Sequence, residues 1–156
     1  MINVFKDLPR DSKGPHYKPL MLLIVLDFIK ERKDSSNVIP AKININRFES
    51  FMNNIGHTKY NKGFLPFFFL SIQKKPIWKL YTINHKLFDR NFFSNKQKVP
   101  KSKKQLLRYV NYALINLEHI EEFIDKNKNE RLRYRLKILL KRDKYKLSNE
   151  VYKFYE

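Results

Sequence analysis

The segment from Leu20 to Leu26, LMLLIVL, holds no polar side chain, and Phe28 and Ile29 extend its apolar character up to Lys30-Glu31-Arg32-Lys33. A surface helix would show a polar face at helical period, and a half-buried strand would alternate residue by residue. This run does neither. It also falls far short of the roughly 20 apolar residues that cross a bilayer. The pattern predicts a central, mostly buried helix over residues 19–33, with Pro19 in its first turn, where a missing N–H costs nothing. Other elements must then pack around it. A helix start carries partial positive charge and favours anions, yet His16, Tyr17 and Lys18 stand there without an acidic neighbour. An anion supplied from outside the chain is the expectation.

Asp34, Ser35, Ser36 and Asn37 provide turn residues, and Val38-Ile39-Pro40 a short strand ahead of a second helix. Asn46 and Glu49 have the spacing of a capping box at its start, Phe48, Phe51, Met52 and Ile55 its apolar face, and Gly56 its stop. From Phe64 the aromatic stretch FLPFFFLSIQKKPIWKLYTI, divided by QKKP, predicts a β-hairpin with Pro66 at a strand edge, beside the loop 57–63. The following FDRNFF can dock aromatics on the core. After an N-cap at Ser102, residues Leu106, Val110, Ala113, Leu117, Ile120 and Ile124 recur at helical spacing. ERLRYRLKILLKR adds an amphipathic helix, and Ser148 with NEVYKFYE a short last one. The expected fold class is α+β, mainly helical with a winged-helix-like β-hairpin. Residues 1–100 would form a helix-helix-hairpin core and residues 101–156 a helical extension packed on it, in one compact domain.

The 156 residues carry 33 Lys plus Arg against 15 Asp plus Glu, a formal net charge of +18, so a polyanion is the expected partner. From Ser50 to Leu117 the one acidic residue is Asp89, whereas the helices beyond residue 118 mix both signs, as a solvated face does. The basic stretch is interleaved with Tyr60, Phe64, Trp78 and Tyr81, a combination suited to nucleic acid. Taken singly, Phe67 to Phe69 and Trp78 read as core residues. No cysteine is present, only three glycines occur, and His16, His57, His85 and His119 lack metal-site spacing, so neither metal nor cofactor is expected. No signal-peptide pattern opens the chain, and a cytoplasmic location without membrane attachment is expected.

PHYKPLMLLIVLDFI, AKININRFESF and LPFFFLSIQKKPIWKL, in that order, together with YALINLEHIEEFI and ERLRYRLKILL, span nearly the whole chain. The set resembles the amino-terminal domain of McrA-like HNH restriction endonucleases, which includes sulfur-binding domains that recognise phosphorothioate DNA. The resemblance implies that His16, Tyr17, Leu65, Pro66 and Phe69 line a shallow pocket on the DNA backbone. Sulfur in place of a phosphate oxygen keeps the charge but is softer and less hydrated, so an apolar pocket with cations nearby accepts it in preference to oxygen. Three positions depart from the family pattern. Tyr17 stands for a basic residue, Leu65 for a tyrosine, and Phe69 for a small residue whose replacement would fill the pocket.

An HNH nuclease needs a histidine base beside a metal, and Asn84-His85 is a lone pair in a basic turn. The resemblance places a nuclease domain after this segment. The leading expectation is a DNA-binding specificity module of a restriction-type system, holding double-stranded DNA through His16, Tyr17, Lys18, Lys59, Lys62, Leu65, Pro66, Phe69, Lys74, Lys75 and Lys79. Oligomeric state is open, with a homodimer as one arrangement. A competing reading is a small basic interaction protein, for example phage-borne, docking on an acidic protein through the mixed-sign helices and VYKFYE. A third is single-strand or RNA binding through Tyr60, Trp78 and Tyr81.

Overall fold

The apolar run becomes the axis of the molecule. In the computed structural model, which describes residues 17–56, 58 and 61–142, helix α1 spans Tyr17–Arg32. Leu20 to Leu26 are all buried, and Ile29 joins them. Lys33 closes the helix with a left-handed φ of 57° and an N–H bonded to the Ile29 carbonyl at 3.2 Å. The expected turn follows: Ser36 N–H donates to Asp34 Oδ1 and Val38 N–H to Ser36 Oγ, both at 3.1 Å.

Strand β1 is Val38–Pro40, and helix α2, Ala41–Asn54, starts directly after it. Asn46 is therefore interior to α2 and does not cap it. Pro40 occupies the cap position without a side-chain bond, and Asn44 Nδ2 reaches back to the Pro40 carbonyl at 2.9 Å. Gly56 ends the element as expected, with φ of 81° and its N–H on the Asn53 carbonyl at 3.1 Å.

The aromatic stretch overturns the expected hairpin. Phe64–Ile72 is helix α3, and only Trp78–Tyr81 is a strand, β2. Pro66 falls in the first turn of α3, where its missing N–H is harmless. A short, wholly apolar run reads equally as a buried strand or a buried helix, so periodicity could not separate them. The real reversal comes later: Thr82 N–H bonds the Lys86 carbonyl and Phe88 N–H the Leu80 carbonyl, both at 2.9 Å, with Tyr81 bridging Leu87.

Asp89 caps a 3-10 turn at Arg90–Phe92, which seats Phe93 in the core. Helix α4, Lys103–Tyr109, begins with Ser102 Oγ accepting from Gln105 N–H, the expected N-cap. It then stops short. Residues Tyr112–Ile115 form strand β3, followed by a 3-10 turn at Leu117–His119, helix α5 (Ile120–Ile124) and helix α6 (Lys126–Arg142). The expected continuous helix is thus interrupted, and Leu117, placed on its apolar stripe, is 88% exposed. The proposed last helix near Ser148 lies outside the described residues.

The sheet has the order β1-β3-β2 and is antiparallel throughout. Its central strand comes from the segment expected to be a helical extension, so residues beyond 101 complete the core instead of decorating it. Ile39, Ala113, Ile115, Trp78 and Leu80 form the buried inner face, which meets α2 and α3. Trp78 Nε1 donates to the Phe67 carbonyl at 3.0 Å, tying α3 to β2. The outer face carries Val38, Pro40, Tyr112, Leu114, Lys79 and Tyr81, none of them buried. The fold class is α+β and mainly helical, as expected, but no winged hairpin occupies 64–83.

Candidate nucleic-acid interface

The basic residues nearest the sheet are positioned by β2 and the turns at its two ends. Lys74 and Lys75 occupy the turn from α3, where Gln73 Nε2 donates to the Lys75 carbonyl at 2.9 Å. Ile77 N–H bonds the Leu70 carbonyl at 3.0 Å, which fixes where β2 begins. Because Trp78 and Leu80 point inward, pleating aims Lys79 outward. Lys86 follows in the reversal after β2, where His85 adopts a left-handed φ of 62°.

Lys79 separates two open grooves of about 460 Å³ each. One is lined by Phe68, Ile72, Leu80, Phe88 and Arg90, with the Arg90 guanidinium 5.8 Å from the Phe68 ring centre. The other runs over the outer sheet face past Asn37, Pro76, Tyr81, Leu114 and Asn116, with Glu118 at its rim. Asn116 Nδ2 donates to the Pro76 carbonyl at 2.6 Å, and Asn37 Nδ2 to the Ile115 carbonyl at 3.4 Å, so both carboxamides are held in place.

Tyr81 and Tyr112 are direct cross-strand partners on this outer face, their rings 5.4 Å apart and 5° from parallel. The Tyr112 hydroxyl meets His85 Nδ1 at 3.0 Å. Tyr112 does not stand out in the sequence, because the helical spacing of Leu106, Val110 and Ala113 predicts a helix across it. The signal that could have exposed it is the residue-by-residue alternation of Tyr112, Ala113, Leu114 and Ile115.

The sequence-predicted residues are only partly gathered. Lys62, Lys74, Lys75 and Lys79 are exposed. Pro66 is buried, and Leu65 and Phe69 are half-buried against the core. Pro66 therefore does not present its ring at the surface. His16, Lys59, Tyr60 and the Tyr17 side chain lie outside the described residues. Lys18 Nζ donates to Gln73 Oε1 at 2.9 Å, next to the carboxyl end of α3, and burial holds its ammonium pKa below the usual lysine value. The Lys18 cation at the start of α1 thus meets an acceptor and a favourable helix end within the chain, so it does not itself require an external anion. Trp78 is fully buried and unavailable for stacking on a base.

Apart from Asp89 and Glu118, which line the two grooves, carboxylates form ion pairs elsewhere. Asp27 pairs with Arg133 at 2.6 Å, Glu31 with Arg47 at 2.8 Å, Glu121 with Lys128 at 2.8 Å and Glu130 with Lys30 at 2.9 Å. Lys103 is drawn to Glu49 at 2.9 Å. Among the described residues, no group of three or more His, Cys, Asp or Glu side chains is placed to hold a metal, and no helix is long and apolar enough to cross a membrane. Comparison with protein-family models, curated proteins and solved structures finds no match to this chain.

Proposed function

We propose that this protein is a DNA-binding specificity module of restriction type, acting in the cytoplasm on double-stranded DNA and similar in role to the amino-terminal domain of McrA-like endonucleases. The observation that carries the reading is the exposure of Lys62, Lys74, Lys75, Lys79, Lys86, Lys96, Lys101, Lys104 and Arg108 in a stretch whose one acidic residue between Asn61 and Leu117 is Asp89. Exposed cations in excess over Asp89 and Glu118, the carboxylates that line the two grooves, attract a polyanion and release its counterions on contact. The lysines flanking Pro76 would hold phosphates, while the half-buried Leu65 and Phe69 and the residues before α1 would set preference among backbones.

The test is binding of the full chain to one duplex in unmodified, phosphorothioated and base-methylated forms. Combining His16→Ala with Lys74→Glu and Lys75→Glu should weaken duplex binding by more than about tenfold at low salt. Unchanged affinity overturns the proposed surface. Equal affinity for phosphorothioated and unmodified duplex removes sulfur from the reading and leaves general DNA binding in place.

A further inference from the structure

We propose that the outer face of the sheet is a second nucleic-acid site, which takes an unpaired base of single-stranded DNA against Tyr81 with the adjoining phosphates on Lys79 and Lys74. The proposal rests on the DNA-binding reading above and shares Lys74 and Lys79 with it, adding Tyr81 as the contact that only a single strand would use.

Half-buried aromatic rings on the outer face of a sheet need a reason, because the same strands have an inner face where rings can be fully buried. Here β2 buries Trp78 and leaves Tyr81 outside, and β3 buries Ala113 and Ile115 and leaves Tyr112 outside. The two tyrosines are directly opposite in register, and their rings are parallel within 5°. The arrangement is built before any ligand arrives. His85 reaches the Tyr112 hydroxyl at 3.0 Å from a reversal whose ends are closed by the Thr82–Lys86 and Leu80–Phe88 backbone bonds. Such preorganisation lowers the ordering cost of binding.

Tyr81 and Lys79 line the same outer groove, so a flat ring lying in it would meet Tyr81 with Lys79 beside it. Lys79 lies in the same groove, with Lys74 and Lys75 in the turn immediately before Pro76 at its edge. Glu118, at the rim with Leu117, disfavours a phosphate there, which assigns the backbone to the lysine side. A paired base in duplex DNA has both faces covered by its neighbours and cannot enter this stack. An unpaired base can, and stacking on aromatic side chains tolerates any base.

The experiment measures binding of the full chain to an oligo-dT single strand and to a duplex, with Tyr81→Leu and Tyr81→Phe as variants. Trp78, on the other face of the same strand, reports through its fluorescence that each variant is folded. Tyr81→Leu should weaken single-strand binding about 5- to 100-fold, the range of losses when one stacked aromatic is removed. Duplex affinity should stay within about twofold, and Tyr81→Phe, which keeps the ring, should bind the single strand like the wild type. In parallel, 2-aminopurine placed in the single strand should be quenched on binding the unmodified protein. Unaltered single-strand affinity in Tyr81→Leu, an equal loss on duplex and single strand, or absence of quenching overturns the proposal. Wild-type protein that binds duplex but not single strand sinks this inference alone, and protein that binds neither sinks both readings.

Discussion

Asn46 and Glu49 stand three residues apart, the spacing of a capping box, yet both lie inside α2 and meet Lys103 Nζ, at 3.2 Å and 2.9 Å respectively. Side chains three apart on a helix share a face, so the same spacing serves equally to clamp a cation from another element. Gly63 illustrates the opposite case, a residue whose importance has no sequence periodicity. A Cβ built there would meet Phe48 Cβ and Cδ1 at 2.9 Å, and Phe48 is itself completely buried. Gly63→Ala should therefore lower stability by about 1–3 kcal/mol through overpacking, measured as a reduced denaturant midpoint. An unchanged midpoint would mean that Phe48 moves aside freely. Gly56, with nothing within 4 Å of its added Cβ but φ of 81°, is required for conformation and not for space.

At the level of elements, the junction between α1 and α3 carries a titration signature. Burial lowers the Lys18 pKa, so between that folded value and the ordinary lysine value the unfolded chain holds more protons than the native one. Native stability gains from Lys18 as pH rises through this window, and below it the full cost of burying the charge is present. Replacing Lys18 by Met should reduce the difference in unfolding free energy between pH 7 and pH 10. A difference identical to that of the wild type would show that Lys18 is solvated in the native state. The same junction shows where element assignment by pattern failed. FLPFFFLSI has the composition of a strand, but its helical form lets Phe67 present a carbonyl to Trp78 Nε1 and lets α3 lie between α1 and the sheet. YALI, assigned to a helix, fits a strand because β1 and β2 flank it on both sides. Tertiary partners outweigh local preference in short segments of this kind.

Across the whole molecule, charge is segregated along the chain, and the proposed function turns on that asymmetry. If Lys74, Lys75, Lys79 and Lys86 each neutralise one phosphate, the logarithm of duplex affinity should fall with the logarithm of salt concentration at a slope of about −3.6. Charge reversal at Lys74 and Lys75 should flatten the slope by about 2, and a slope that does not respond would remove these two residues from the contact. The sequence by itself determined the central helix, because a run as apolar as Leu20 to Leu26 can only be buried, and it determined the basic character of residues 61–117, because composition does not depend on folding. It likewise determined the Ser102 cap and the Gly56 stop, which are local chemistry. Only the tertiary structure decided that β3 would be the middle strand, that Pro66 would be buried, and that Tyr81 and Tyr112 would stand side by side on an open face. Those outcomes depend on pairing between residues distant in the chain, and short apolar segments carry no local signal for which partner they will meet.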